Sequence, residues 1–256
     1  MAWPPPRPGS WVLDLDGVVW RAGRPIDGAP EAIAALRESG DRVFFVTNNA
    51  APTVAELLAR LRRAGVPAGD EEILSSAMAT AAMLQHGDRV LVVGEAGVAE
   101  ALRARGVQIV DEAPVQAVVV SRTPRFGYDE ISLASGVARD GARLIGTNDD
   151  ATFPTGEGLV PGTGALLAAV ATASGIAPEV AGKPYPPMVR LVKERIGKVD
   201  VVVGDRPSTD GRLAEQLATR YALVLSGVTP PGSPVEPAPD VVAADLGELV
   251  AMLGEG

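Results

Sequence analysis

Four short stretches concentrate the residues able to do chemistry. In the first, Asp14-Leu15-Asp16-Gly17, an apolar run ends at two carboxylates two residues apart, which project the same way in an extended chain. Gly17 lets the backbone turn sharply there and approach a ligand. The second, Val46-Thr47-Asn48-Asn49-Ala50, also ends a strand-like run; its hydroxyl and side-chain amides can hold phosphate oxygens alongside backbone N–H groups. The third is Gly182-Lys183-Pro184. Lysine is scarce, with three among the 23 basic residues, so a lysine here suggests a compact, movable ammonium rather than a guanidinium fork. The fourth, Gly204-Asp205-Arg206-Pro207-Ser208-Thr209-Asp210, delivers Asp205 at a strand tip and Asp210 on the first turn of a helix, two hard oxygen donors suited to Mg2+. Read alone, each has a plain alternative: a loop capping a strand, an ordinary Asn-Asn turn, a solvated lysine, a helix-start carboxylate favoured by the dipole. All four together, each at a strand end, are poorly explained by coincidence.

The elements that must position these residues alternate between β and α, the pattern of a mostly parallel sheet. Strands are expected over 11–15, 42–47 and 73–75, with helices over 30–39 and around Leu57, Leu58 and Leu61, the latter capped by Thr53. The order then starts afresh. Strands over 89–94, 117–122 and 143–148, with helices over 98–105, from Tyr128 and from 162–164 to 174, form a second α/β set. Core-like patterning returns from Gly182, with strands over 199–205, 222–226 and near Val241 and a helix from Ser208. Ligands of open parallel sheets bind beyond the carboxyl ends of strands, where all four motifs fall. The proline-rich stretch 229–240 reads as a stiff connection.

Composition narrows the function. The 256 residues suit one large α/β domain or a core with a smaller insertion. A net charge of −9 disfavours nucleic acid and anionic membrane surfaces as partners. It also requires that any bound phosphate meet locally gathered positive charge. With no cysteine, disulfides and thiolate-ligated zinc are excluded; the single histidine, His86, lies in a turn-like stretch and rules out a multi-histidine metal site. No apolar run approaches the ~20 residues of a membrane span, and the N-terminus lacks a signal-peptide centre. The chain is therefore expected to be soluble and cytoplasmic.

These motifs resemble those of the haloacid dehalogenase superfamily of phosphohydrolases, and more closely its subclass IIA, the nitrophenylphosphatase and phosphoglycolate phosphatase-like enzymes. The likeness extends to Trp20 after the first motif, to Thr147-Asn148-Asp149-Asp150 leading to Pro154, and to Ser226-Gly227-Val228-Thr229. One departure is Ala50-Ala51, where many such enzymes have serine. The resemblance implies a Rossmann-like core over 1–78 and 179–256 and an inserted α/β cap over 79–178. It implies an Mg2+-dependent phosphomonoesterase. In it Asp14 is the nucleophile and Asp16 the general acid and base. Mg2+ would bind Asp14, the Asp16 backbone carbonyl and Asp205, while Asp210 orients water or Lys183. Thr47, Asn48 and Lys183 would hold the phosphoryl group. Asn148 and Asp149 would help the cap select the substrate, and a homodimer could form through the cap. Phosphoglycolate or glycerol phosphate is the first-choice substrate, pyridoxal phosphate or a nucleotide the next. A phosphomutase would use both aspartates too, whereas a dehalogenase would not need Asp16. A nucleotide-binding oxidoreductase fits poorly, since no full G-x-G-x-x-G follows a strand, and a non-catalytic protein would not need every position filled.

Overall fold

The structure is a computed structural model that describes residues 3–254. Its contacts divide the chain into two compact units: 1–47, 55–74 and 192–256 form the first, 48–54 and 75–191 the second. Compared with the expected limits after 78 and 178, the first boundary falls slightly earlier and the second later. The turn after Thr47 also belongs to the second unit.

The first unit is built on a six-stranded sheet in the order Val241–Ala243, Arg220–Val224, Val201–Gly204, Ser10–Leu13, Arg42–Thr47, Ile73–Ser75. The four pairings from Val241–Ala243 through Arg42–Thr47 are parallel. Ser10–Leu13 and Val201–Gly204 are buried along their whole length, as expected of near-continuous apolar strands covered on both faces. The chain first adds strands on one side of Ser10–Leu13 and later on the other. Strand order therefore reverses at this central strand, and the crevice beyond its carboxyl end is where such sheets bind ligands.

The helix Ala29–Glu38 buries Ala29, Ala32, Ile33 and Leu36, a single face at helical spacing, with a proline in its first turn where no N–H is missed. Val54–Arg63 buries only Leu57 and Leu61, while Leu58 is half-buried. The proline-rich N-terminal arm is tied to this unit by Asp41, which is buried and accepts from the Gly9 N–H at 2.7 Å and from the Arg7 guanidinium. The stretch 229–240 carries neither helix nor strand, as its prolines predict.

The second unit carries a five-stranded parallel sheet in the order Glu179–Val180, Arg143–Gly146, Ala117–Val120, Arg89–Val93, Gln108–Ile109. Side chains alternate across it. Val90, Ala117, Val119 and Ile145 pack with Val98 and Leu102 in one cluster, while Leu91, Val118, Val120 and Leu144 pack with Leu166 and Val170 in another. Several pieces depart from the expected elements. Thr152–Thr155 and Gly158–Pro161 pair as an antiparallel hairpin. Ser76–Ala81 and Pro186–Arg195 are helices. The expected helix from Ser208 begins as a π-helical turn, Pro207–Gly211, before Arg212–Leu217 continues it.

Candidate active site

In the first unit, the strand pairing extends one residue past Leu13, since the Asp14 N–H donates to Val203 O at 2.9 Å. The chain then winds around one carbonyl: Leu15 O accepts from Val19 N at 3.0 Å and Trp20 N at 3.1 Å. This tight turn swings the Trp20 indole back, and its Nε1 donates to Asp16 Oδ1 at 3.0 Å. Asp16 is half-buried, and this bond orients its carboxylate.

Asp205, at the tip of the neighbouring strand, lies between two glycines. A Cβ on Gly17 would fall 2.5 Å from its Oδ2, and one on Gly227 1.8 Å from the same atom. Gly17 also has φ of +97°, a conformation only glycine adopts without cost. The 226–229 segment closes over the pair. Val228 N–H donates to Asp205 Oδ2 at 2.7 Å, Thr229 Oγ1 to Asp205 O at 2.5 Å, and Ser226 Oγ to Gly17 O at 2.6 Å. Asp210 is turned back by the π-helical turn, accepting from Arg206 N at 3.2 Å, and its side chain lies over Gly204, where a Cβ would come 2.2 Å from its Cγ.

These folds converge three carboxylates. Asp14, Asp205 and Asp210 are all buried, and one ligand oxygen from each lies within 4.8 Å of the others. Three clustered carboxylate oxygens with no nitrogen or sulfur donor fit a hard divalent cation such as Mg2+. Asp210, expected to act one step removed from the metal, thus stands within the cluster. Beneath it lies Tyr221, whose hydroxyl has no hydrogen-bond partner among the described residues. Burial, then the charges of Asp210, Asp205 and Asp14, hold its phenol above the ordinary value, so it stays protonated. Thr47 is buried at the end of the strand beside Ser10–Leu13.

Four other candidates belong to the second unit. Asn48 and Lys183 are brought together there: Lys183 N–H donates to Asn48 Oδ1 at 2.7 Å, and Asn48 Nδ2 donates to Lys183 O at 3.2 Å and to Asp150 Oδ2 at 3.2 Å. Asn148 Nδ2 donates to Asn48 O at 2.7 Å, while Asp149 accepts from the Tyr185 hydroxyl. The Asn48 side-chain amide is thus engaged by protein partners through both its oxygen and its nitrogen. Lys183 is 2% exposed and not the solvated lysine of the plain reading, whereas His86 is exposed.

Known proteins place this arrangement. Residues 11–108 match the family described as haloacid dehalogenase-like hydrolase, and residues 180–249 match its HAD-hydrolase-like companion. The chain belongs to the haloacid dehalogenase-like hydrolases. It is 34% identical to a dihydroxyacetone phosphatase of Corynebacterium glutamicum over 86% of this chain and 82% of that protein. Among solved structures, a p-nitrophenyl phosphatase from Archaeoglobus fulgidus superposes with TM-score 0.89 at 32% identity, covering 97% of this chain and 100% of the other. The magnesium complex of a glycerol phosphate phosphatase from Mycobacterium tuberculosis gives TM-score 0.86 at 34% identity, over 94% and 76%. Within the family the chain falls in the nitrophenylphosphatase-like subclass IIA, and it is an Mg2+-dependent phosphatase of small phosphorylated metabolites.

The motif carboxylates and Lys183 were visible in the sequence. The parts played by Trp20, Tyr221, Gly227 and Asp150 were not; Trp20 and the 226–229 segment were marked only by their likeness to the family.

Proposed function

We propose that this phosphatase hydrolyses the phosphate monoester of a three-carbon polyol or ketone, of the glycerol phosphate or dihydroxyacetone phosphate kind, through an aspartyl-phosphate on Asp14. The buried cluster of Asp14, Asp205 and Asp210, beside an Asp16 held by Trp20, carries this reading. Asp14 attacks phosphorus, and the bond from phosphorus to the ester oxygen breaks as Asp16 gives that oxygen its proton. Asp16, now a carboxylate, takes a proton from water as the water attacks the phosphorus of the aspartyl-phosphate. Inorganic phosphate leaves and Asp14 is restored. Asp14, Asp205, the Asp16 backbone carbonyl and Asp210 would hold Mg2+, which neutralises charge shared between carboxylates and phosphoryl oxygens. Thr47 and Lys183 hold those oxygens.

The three-carbon assignment is supported by the dihydroxyacetone phosphatase and glycerol phosphate phosphatase among the relatives, with sugar phosphates the competing class because acid sugar phosphatases stand at similar identity. Phosphoglycolate, the other first-choice ester, and pyridoxal phosphate or nucleotides are competing substrates, and a phosphomutase would pass the group to a sugar instead of water. We assign selection among esters to the insertion expected over 79–178, including Asn148 and Asp149, and much of it lies outside both family matches. No described helix is long and apolar enough to cross a membrane; the cytoplasm is the compartment we assign to the enzyme. A homodimer formed through the insertion completes the reading and is checked by light scattering.

One experiment tests the chemistry. The purified protein is assayed against a panel of phosphorylated metabolites, with and without chelation, beside Asp14→Asn. Activity that needs Mg2+ and disappears in a folded Asp14→Asn protein is expected. Turnover by that variant would refute the covalent route, and indifference to chelation the metal.

A further inference from the structure

Asn48 stands one residue after Thr47, yet its side chain faces the main chain of a residue 135 positions away. Its Oδ1 accepts the Lys183 N–H at 2.7 Å and its Nδ2 donates to the Lys183 carbonyl at 3.2 Å. One planar amide thus grips both main-chain polar groups of one residue. The orientation of the amide is fixed by its partners: a flipped amide would set an NH2 against an N–H and an oxygen against a carbonyl and a carboxylate. The grip is close. A Cβ on Gly182 would lie 2.5 Å from Asn48 Oδ1, 2.8 Å from Thr147 O and 3.1 Å from Asn148 Cβ. Gly182 has no left-handed φ, so space, not backbone conformation, calls for glycine.

Asn48 is itself anchored. Its carbonyl accepts from Ser76 Oγ at 2.6 Å and from Asn148 Nδ2 at 2.7 Å, and its Nδ2 also reaches Asp150 Oδ2 at 3.2 Å. Asn148 Oδ1 in turn accepts from Asp150 N at 3.1 Å. The segment 147–150 and Lys183 therefore share one fulcrum. Around Lys183 the chain is folded tightly, with Tyr185 N donating to Gly182 O at 2.8 Å and Met188 N to Ala181 O at 3.1 Å. The side chain of Lys183, 2% exposed, takes its direction from a main chain held on both sides.

We infer that Asn48 is a positioning residue for Lys183: its amide clips the Lys183 main chain and ties that lysine to the 148–150 segment, and it acts on the reaction only through Lys183. This rests on the reading of Lys183 as a holder of the phosphoryl group and adds what sets the lysine in place. It also separates Asn48 from Thr47, its neighbour, which acts on phosphate directly.

A double-mutant cycle on the full-length enzyme with saturating Mg2+ tests it, using Asn48→Ala, Lys183→Ala and the pair, with p-nitrophenyl phosphate as substrate and inorganic phosphate as competitive inhibitor. Asn48→Ala is expected to lower kcat/KM by about 10- to 100-fold and to weaken phosphate inhibition; in the Lys183→Ala background it should change either by no more than about twofold. Gly182→Ala should reproduce the Asn48→Ala phenotype, because its Cβ pries the clip apart, and it serves where Asn48→Ala folds poorly by circular dichroism. A purely structural Asn48 would lower thermal stability yet show losses that multiply with those of Lys183→Ala. Multiplying losses, or an Asn48→Ala enzyme equal to wild type, would overturn the inference. A Lys183→Ala enzyme of full activity would instead overturn the reading of Lys183 beneath it.

Discussion

Replacing Gly227 with alanine should disable the metal site without touching a carboxylate. The residue has no left-handed φ, so alanine can adopt its backbone conformation. Its Cβ, however, would stand 1.8 Å from Asp205 Oδ2, 2.3 Å from Cγ and 2.4 Å from Cβ, where real Cβ atoms essentially never approach within 3.0 Å. Either Asp205 or the 226–229 segment must give way by roughly 1 Å, and misplacement of that size costs on the order of 100-fold in rate. The move also breaks the Val228 N–H bond to Asp205 Oδ2, now 2.7 Å, a charge-assisted bond of about 1.5–3 kcal/mol. Disturbed partners of a metal ligand typically cost about 10- to 100-fold in metal affinity. Gly227→Ala should therefore lower kcat/KM by about 100-fold and raise the Mg2+ concentration for half-maximal activity by at least about 10-fold. Steady-state hydrolysis of p-nitrophenyl phosphate across a Mg2+ series measures both, with circular dichroism reporting the fold. Gly232→Ala is the control: φ is +75° with nothing within 4 Å of the added carbon. It should cost about 1 kcal/mol of stability and leave activity alone. A folded Gly227→Ala enzyme with wild-type Mg2+ dependence would refute the placement of Asp205 as a ligand.

Trp20→Phe removes the donor that orients Asp16; kcat should fall about 10-fold, and more for an alkyl phosphate than for p-nitrophenyl phosphate, whose leaving group needs less protonation. Equal losses on both esters would dissociate Asp16 from leaving-group protonation. Arg143→Ala tests a pair remote from the chemistry. Arg143 meets Glu179 through two bonds of 2.8 Å, and that hydrogen bond holds the Glu179 carboxyl below its usual 4.5 against a smaller opposing effect of burial. A lowered folded value means the pair stabilises above the unfolded value and loses its effect as pH falls through the folded one. Both groups are exposed, so the difference from wild type in urea unfolding should be at most about 1 kcal/mol at neutral pH and should disappear as pH falls through the lowered folded value. Excising the hairpin from Thr152 to Pro161 in favour of a short glycine turn should change the order of preferred metabolite esters while p-nitrophenyl phosphate hydrolysis persists; an unchanged preference would remove the hairpin from selection.

What could be read from the sequence follows from how local each signal is. Asp14, Asp16 and Asp205 stand at the ends of buried strands, and strand-end position is written in the adjacent apolar run. The hairpin from Thr152 to Pro161 escaped because Pro154, Gly156, Gly158 and Pro161 erase the alternation that marks a strand. Ser76–Ala81 is a short helix of small residues, most of them buried, so no amphipathic period appears. Pro186–Arg195 opens on two prolines, which read as a loop although a helix tolerates proline in its first turn. The π-helical turn at Pro207–Gly211 has no sequence period at all, and it alone turns Asp210 back into the cluster. The grip of Asn48 on Lys183 joins residues 135 apart through main-chain atoms, which every residue possesses, so no choice of side chain at position 183 announces it.

One device recurs at Asp205, Asp210 and Asn48, and it consists of a missing side chain. Gly17 and Gly227 press main chain against the Asp205 carboxylate, Gly204 does so against Asp210, and Gly182 against Asn48, each at a distance where a Cβ would collide. Of these four only Gly17 has a left-handed φ, so turn geometry explains one and close approach explains the rest. Glycines such as Gly23, Gly87, Gly175 and Gly197, by contrast, have left-handed φ and open space where a Cβ would be, which is the ordinary use of the residue in turns. Main chain packed against a carboxylate places it with N–H groups, as Val228 and Arg206 do for Asp205 and Asp210, and leaves few rotamers for it to occupy. A carboxylate so confined loses little further freedom on meeting a cation or a phosphoryl group. The preorganisation of this site is therefore lodged in backbone approach, and a single added methyl at any of the four glycines is a sharper probe of it than removing a neighbouring side chain.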